Sequence, residues 1–208
     1  MMNELISRYP CLESCKDDII AATDAIIDCY KKGGKVLLCG NGGSCADCDH
    51  IVGELMKGFL KKRPLSSMQK EKIKHCAPVL NDAMLGKLQN GLPAISLPSI
   101  AVLNSAFCND IDPELIYAQS VLGLGKPGDV LLCISTSGNA KNVDAAVMTA
   151  TAMGLHTIGL TGKDGGLLAQ HAELPLVMPE KDTYLIQENH ICVYHLICAV
   201  VESELFDA

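Results

Sequence analysis

The 208-residue sequence contains no tryptophan, and aromatic residues make up only 4% of it. Apolar residues nevertheless account for 49%. The core must therefore be built from Ala, Val, Ile and Leu, as in a buried parallel sheet covered by helices. A chain of this length is sufficient for one domain with a substantial core, and we expect a single domain over residues 1–208.

The sequence also lacks an excess of positive charge. It has 17 Lys and Arg against 24 Asp and Glu, which gives a net charge of −7. Binding to a nucleic-acid backbone needs a basic face, so we expect no nucleic-acid partner. The short basic run from Lys70 to Lys74 is better explained as a solvated helix face.

No apolar stretch reaches the roughly 20 residues of a membrane-spanning helix, and the first 18 residues lack the apolar region of a signal peptide. We therefore expect no membrane partner and a cytoplasmic location. Several of the eleven cysteines lie within apolar segments, where a free thiol behaves as a small hydrophobe: Cys39, Cys133, Cys192 and Cys198. A reducing compartment fits this pattern better than a disulfide framework does.

Apolar runs that suit buried strands alternate with helical patterns along the chain. Residues 13–31 have helical spacing, and they are followed by the apolar run 35–39, the glycine-rich loop 40–44 and a second helical stretch. Five candidate strands result: 35–39, 93–97, 129–134, 156–160 and 174–178. This alternation predicts an α/β fold with a doubly wound, five-stranded parallel sheet and helices on both faces.

Two of the loops after these strands are suited to binding a phosphate. Residues 40–44 (GNGGS) and 135–139 (STSGN) each lead from a strand into a helix, where backbone N–H groups and the helix dipole favour an anion. Either loop alone could be an ordinary turn. Their repetition after similar strands favours a small phosphate monoester, and neither matches the Walker A or GxGxxG nucleotide motifs.

Two segments fall outside this alternation. Residues 65–91 separate the helix after the first loop from the strand at 93, and we expect one or two short helices there, forming a lid or an interface element. Residues 183–204 form a long helical pattern that is apolar around most of its circumference. We expect this last helix to be buried, either within the protein or between subunits.

Two pairs of side chains with metal-ligand chemistry lie on predicted helices. His50 and Glu54 are four residues apart and share one helix face, while Gln187 and His195 are about 80° apart around the last helix. If the pairs converge, they offer two imidazoles, a carboxylate and an amide oxygen, a set suited to Zn²⁺. A histidine on a buried helix is by default a hydrogen-bonded core residue, so spacing alone does not decide between these readings.

A Cys-x-x-Cys pair, Cys45 and Cys48, follows the first loop and suggests a different function. A helix N-terminus lowers the pKa of a thiol, so the pair is compatible with a redox or zinc site. No second pair of this kind follows in the sequence. We treat a metal or redox protein as a lesser alternative.

Four motifs together resemble the bacterial phosphoheptose isomerases, which are members of the sugar isomerase (SIS) domain family. They are GNGGSxxxxxH at 40–50, STSGN at 135–139, TGKDGG at 161–166 and QExHxxxxH at 187–195. The resemblance implies a single SIS domain with a flavodoxin-like three-layer sandwich, into which 65–91 is inserted. It also implies an aldose–ketose isomerase acting on sedoheptulose 7-phosphate or a related sugar phosphate, and a homotetramer with sites shared between subunits.

The resemblance assigns roles to particular residues. Glu54 and His195 match the acid/base pair that transfers protons through an enediol. The matching His50, Glu54, Gln187 and His195 can hold zinc in the family. Expected contacts with the substrate come from the loops and from three further positions: Asn41, Gly42, Gly43, Ser44, Asn109, Asp110, Ser135, Thr136, Ser137, Asn139 and Gln187.

The sequence also departs from the family pattern at three positions. Gly58 stands where an arginine is usual, Ala140 replaces a serine, and Tyr184 replaces an acidic residue. These changes leave the sugar open. The alternative function is a non-catalytic SIS module that binds a sugar phosphate as a regulator or protein adaptor, but the retention of Glu54 and His195 counts against it.

Overall fold

A central sheet organises the protein, whose structure is a computed structural model that describes residues 1–206. The strands that form the sheet are short and mostly buried, as the apolar runs predicted. They are β1 (Val36–Gly40), β2 (Ala94–Ser96), β3 (Val130–Ser135), β4 (His156–Thr161) and β5 (Leu174–Val177).

The strands are all parallel and lie in the order β2-β1-β3-β4-β5. This is the order of flavodoxin-like folds, in which ligands bind beyond the carboxyl ends of the strands where the order reverses. β1 and β3 are neighbours, with Gly40 opposite Ile134 at that end. The predicted doubly wound parallel sheet is confirmed, and the two glycine- and serine-rich loops leave it side by side.

Helices cover both faces of the sheet. Within residues 1–206, none of them is long and apolar enough to cross a bilayer. The helices are α1 (Met2–Arg8), α2 (Lys16–Lys31), α3 (Gly43–Met56), α4 (Ser67–Cys76), α5 (Asp82–Leu85), α6 (Ala101–Asp110), α7 (Ile116–Leu124), α8 (Lys141–Ala152), α9 (Gly166–His171) and α10 (Thr183–Leu205), with short 3₁₀ turns at Pro10–Cys15, Leu97–Ser99 and Pro113–Leu115.

Alternating strand residues build two separate apolar cores. In β1, Val36 and Leu38 pack with residues of α2, α3 and α10, whereas Leu37 and Cys39 pack with residues of α7 and α8 on the other face. This division follows from the two-residue period of a strand, which sends successive side chains to opposite faces. The result is a three-layer sandwich.

Helices α3 and α10 lie against each other on one face, and their contacts follow the same order along both. Gln187 lies against Gly43 near the two N-termini, and Tyr194 contacts His50 further along. Beyond the end of α3, Glu202 accepts a hydrogen bond from the backbone N–H of Phe59. The two helices therefore run in the same direction, and α10 is buried largely within its own chain.

The segment 65–91 forms the two short helices α4 and α5. Ser66 and Gln69 cap α4 reciprocally, and α4 buries none of its side chains. The segment is attached at its two ends, where the backbone N–H of Asn90 donates to the Arg63 carbonyl at 2.7 Å. Its exposed surface is compatible with the interface role expected from the sequence.

Candidate active site

The first loop is held in a conformation that only glycine adopts easily. Gly42, between β1 and α3, has φ of +57°. A side chain on Gly43 would displace the amide of Gln187, whose Nε2 lies against the position that a Cβ atom would take. Gln187 thus lies at the N-terminus of α3, beside the loop, as expected of a residue that contacts the substrate.

Neighbouring side chains fix the rest of this loop. The Tyr117 hydroxyl donates to the Gly40 carbonyl at 2.8 Å and lies 3.1 Å from Asn41 Oδ1. The Asn41 amide also pairs with the amide of Asn142, the second residue of α8, at 2.8 and 3.0 Å. Ser44 is buried in the first turn of α3. The loop is therefore preorganised, and its hydrogen bonds tie it to the helix that follows the second loop.

The second loop is anchored from the opposite side. Gly138 has φ of +67° and lies directly against the backbone of Gly165, where a side chain would collide. The Asn139 side chain donates to the Ser137 carbonyl and accepts from the Leu167 N–H. Ser135 is buried at the end of β3, while Thr136 and Ser137 are half-buried beside it. Their hydroxyls lie at the edge of the sheet from which the first loop also emerges.

Three of the expected reactive side chains come together between α3 and α10. His50 Nε2 lies 3.5 Å from Glu54 Oε1 on the same helix and 3.4 Å from His195 Nε2 on α10. The Phe59 ring covers His195 with a centroid separation of 5.6 Å. Burial lowers the pKa of His195, the nearby His50 lowers it further, and Glu54 opposes both. Burial and the nearby His50 thus both favour the neutral imidazole, which is the form that can act as a general base.

His50 is held on its other side by two residues that the motifs did not indicate. Its Nδ1 lies 3.0 Å from the Tyr194 hydroxyl, which in turn lies 3.3 Å from Asp47 Oδ1. Burial raises the pKa of Asp47, and the hydrogen bond from Tyr194 partly offsets this. Helical spacing was a usable signal for Asp47, which stands three residues before His50. Tyr194 has no such signal, because its contact joins residues far apart in the sequence.

The donor atoms around His50 fit a zinc ion in part. Two ligands of a tetrahedral zinc lie about 3.3–3.4 Å apart, given zinc–nitrogen distances of about 2.0–2.1 Å. The separations of His50 Nε2 from Glu54 and His195 are close to this value. Residues 1–206 nevertheless contain no group of three or more His, Cys, Asp or Glu side chains arranged as a complete metal site. Gln187, the fourth expected ligand, contacts Gly43 instead.

Other expected site residues lie elsewhere. Asn109 and Asp110 are exposed at the end of α6, where Asn109 Nδ2 donates to Asp110 Oδ1 at 2.7 Å. They line an open cleft with Ala101, Val102 and Ser105 of the same helix. In this arrangement their side chains pair with each other, and a contact with a substrate held at the two loops stays a prediction.

The cysteine pair does not have the environment of a reactive site. Cys48 is fully buried, and burial raises the pKa of both its thiol and that of Cys45. A reactive thiol needs a lowered pKa. All eleven cysteines are free. The structure therefore gives no support to the redox alternative.

The departure at Gly58 has a structural explanation. Its N–H donates to Gln89 Oε1 at 3.1 Å, and a side chain at this position would collide with Gln89 and with the Lys61 carbonyl. Gln89 belongs to the segment 65–91, so the inserted segment fills the space that an arginine would need. Of the other two departures, Ala140 lies directly before α8, and Tyr184 is exposed on α10.

Comparisons with known proteins agree with this geometry. A family model described as the SIS domain matches residues 3–75 and 89–162, so the match is interrupted within the inserted segment. The phosphoheptose isomerase of Roseiflexus sp. is 38% identical over 91% of this chain and 83% of its own length. That of Clostridium acetobutylicum is 37% identical over 91% and 84%.

Solved structures give the same result. The structure of the phosphoheptose isomerase from Neisseria gonorrhoeae superposes with a TM-score of 0.76 at 31% identity, covering 97% of this chain and 94% of that one. The enzyme from Francisella tularensis superposes with a TM-score of 0.76 at 29% identity, covering 93% and 90%.

Proposed function

Because this chain belongs to the SIS-domain family, and within it to the phosphoheptose isomerases, we propose that it is a phosphosugar aldose–ketose isomerase acting on sedoheptulose 7-phosphate or a related sugar phosphate. One observation carries the proposal. His50 and Glu54 on α3 meet His195 on α10, and α3 begins at the first glycine-rich loop.

The distance between the loop and the reactive cluster suits such a substrate. His50 lies seven residues beyond Gly43 on α3, which corresponds to about 10 Å along the helix axis. This is comparable with the length of an extended sugar phosphate of five to seven carbons. The phosphate then lies at the N–H groups and hydroxyls of the loops, while the carbonyl end of the sugar reaches Glu54 and His195.

The chemistry of the pair is proton transfer between adjacent carbons. A base removes a proton from C1 of the ketose while an acid protonates the C2 oxygen, so the C1–H electron pair forms the C1–C2 double bond and the C2–O π bond breaks to give the enediol. The O1 proton is then removed while a proton is added at C2, and the C1–O1 bond becomes the carbonyl of the aldose. Glu54 and His195 transfer these carbon-bound and oxygen-bound protons. The cluster is only partly exposed at Glu54, with 15% of that side chain accessible, which restricts competing proton exchange with water.

We also propose a zinc ion or similar divalent ion at this site, with ligands among His50, Glu54, Gln187 and His195. The chemistry it supplies when bound is polarisation of the substrate carbonyl as a Lewis acid. The spacing of His50 from Glu54 and from His195 supports the proposal. Metal analysis of the purified protein tests it directly.

The decisive experiment is a turnover assay over a panel of C5 to C7 sugar phosphates with wild-type protein, Glu54→Gln and His195→Ala. We expect isomerisation of at least one sugar, and a loss of about 100-fold or more in each variant. Glu173→Gln and His156→Ala are matched controls, because these residues form another exposed His–Glu pair, with Nδ1 and Oε2 3.0 Å apart, at the opposite edge of the sheet. Full activity in both site variants would disprove the mechanism, and tight binding without turnover would favour the regulatory alternative.

Three further expectations belong to this proposal. We propose a single SIS domain over residues 1–208 in which 65–91 is an inserted interface element, supported by the exposed surface of α4.

We propose a homotetramer with sites at subunit interfaces, supported by exposed apolar side chains such as Leu60 beside the site. Light scattering tests this, and a monomer would contradict it. The eleven free cysteines support a cytoplasmic location.

A further inference from the structure

A chain of three polar side chains stands behind the reactive cluster. Asp47 and His50 lie on one face of α3, and the hydroxyl of Tyr194 from α10 lies between them. Tyr194 is 1% exposed, so water does not compete for its hydroxyl. The hydroxyl proton of Tyr194 can be donated to either of two partners, the Asp47 carboxylate at 3.3 Å or His50 Nδ1 at 3.0 Å.

Counting donors fixes the direction of the chain. A carboxylate only accepts hydrogen bonds, and a phenol has a single proton to donate. If Tyr194 donates to Asp47, its oxygen is free to accept, and His50 Nδ1 must carry the proton that completes the second bond. We propose that Asp47 and Tyr194 act together as positioning residues that hold His50 in the Nδ1–H tautomer, with an unprotonated Nε2 facing the site.

The reverse direction leaves a group unsatisfied. If Tyr194 donated to His50 Nδ1 instead, the half-buried Asp47 oxygen would face the phenol oxygen with no proton between them. Two oxygens 3.3 Å apart with no proton between them repel each other, so the first direction is favoured. The choice of tautomer is therefore built into α3 and α10.

The tautomer decides what the cluster binds. The lone pair of His50 Nε2 then points toward Glu54 Oε1 at 3.5 Å and His195 Nε2 at 3.4 Å. Resting on the proposed function, this inference assigns to Asp47 and Tyr194 the role of keeping His50 Nε2 available as a metal ligand or proton acceptor.

The direct test is long-range ¹H–¹⁵N NMR of the full-length protein with ¹⁵N-labelled histidine, after removal of divalent ions with EDTA. The His50 signals are assigned by their loss in His50→Gln, since the chain has six histidines. In wild type we expect Nδ1 protonated and Nε2 unprotonated. In Asp47→Leu, which has no acceptor for the Tyr194 hydroxyl, and in Tyr194→Phe, which lacks the hydroxyl, we expect this preference to be lost. Tyr30→Phe removes a comparable hydroxyl bound to the Pro93 carbonyl and should leave the spectrum unchanged.

A second readout is zinc affinity measured by calorimetry on the same proteins. Loss of a residue that orients a ligand weakens metal binding by about 10- to 100-fold, and we expect this in Asp47→Leu but not in Tyr30→Phe. A wild-type His50 protonated at Nε2 would overturn the inference, as would an unchanged tautomer in both folded variants. The tautomer measured by NMR does not depend on turnover. The inference about His50 can therefore fail while the isomerase proposal stands, and the isomerase proposal can fail while the inference stands.

Discussion

Two polar regions where α10 meets α3 and the residues after it differ in how completely their polar groups are paired. We call them the closed contact, formed by Glu202 and Arg63 near the C-terminal end of α10, and the open contact, formed by His50, Glu54 and His195. At the C-terminal contact, the buried Glu202 carboxylate accepts from the N–H groups of Phe59, Leu60 and Lys61 at 2.6–2.9 Å and from Arg63 Nε at 2.8 Å. Arg63 is 1% exposed, and its Nη1 donates to the Leu55 carbonyl at 2.6 Å.

At the open contact, the polar side chains are not fully paired. His50 is 45% exposed, and its Nε2 lies at 3.4–3.5 Å from its neighbours, longer than good hydrogen bonds. The closed contact fixes the segment that carries Phe59 against His195, while the open contact leaves the His50 imidazole accessible to solvent. Within a few turns of the same two helices, one contact therefore stabilises the fold and the other leaves the proposed reactive groups accessible.

The largest effect should come from breaking the closed contact. Glu202→Gln leaves the buried Arg63 charge unpaired, so we expect the free energy of unfolding to fall by about 3–5 kcal/mol. Urea unfolding at one fixed protein concentration measures this. The matched control is Glu204→Gln, two residues further along α10, because Glu204 pairs with Lys31 at the surface and should change stability little. Equal stabilities for the two variants would contradict the comparison.

The open contact should give the opposite result. His195→Asn is expected to lower kcat/KM by about 100-fold or more, equivalent to about 2.7 kcal/mol of transition-state stabilisation. The free energy of unfolding should change by less than about 1 kcal/mol, because the imidazole is half-exposed and its polar contact is long. Activity and urea unfolding are measured on the same sample. A large loss of stability would show that His195 is a structural residue.

The pH dependence of stability sharpens the contrast. Burial raises the pKa of Glu202, but the hydrogen bonds from Phe59, Leu60, Arg63 and Lys61 outweigh it and lower the pKa overall. A carboxyl with a lowered folded pKa contributes stability that is present above its unfolded pKa, about 4.3, and lost as the pH falls through the folded value. We expect wild type to lose stability more steeply than Glu202→Gln below about pH 4.3, by no more than about 1.4 kcal/mol per pH unit. Parallel curves would contradict this.

Sequence predicted the fold because its signals are local. The apolar runs at 35–39 and 129–134 and the glycine-rich turns after them each specify a strand and its exit, and the alternation with helices then specifies a parallel sheet. The four-residue spacing of His50 and Glu54 likewise placed both on one face of α3. These features need no knowledge of the tertiary contacts.

The remaining parts of the site depend on contacts between distant residues. Tyr194 reaches His50 across 144 positions and Arg63 reaches Glu202 across 139, and nothing local marks either pair. Gly58 shows the same limit, because one of the two groups that occupy its side-chain space, the Gln89 side chain, comes from a segment whose position the sequence did not specify. Family resemblance predicted which residues are reactive, and the structure shows which side chains surround them.

The smallest effect should come from a charged pair at the open contact, between Glu54 and Lys57. Lys57 Nζ lies 3.4 Å from Glu54 Oε2, and 60% of the lysine side chain is exposed. Water and salt screen such a pair, so Lys57→Met should change the free energy of unfolding by less than about 0.5 kcal/mol, and even less in high salt. Lys31→Met is the control, since Lys31 pairs with Glu204 at similar exposure. A loss in Lys57→Met as large as that in Glu202→Gln would mean that Glu54 is held as tightly as Glu202, and the distinction between an open and a closed contact would fail.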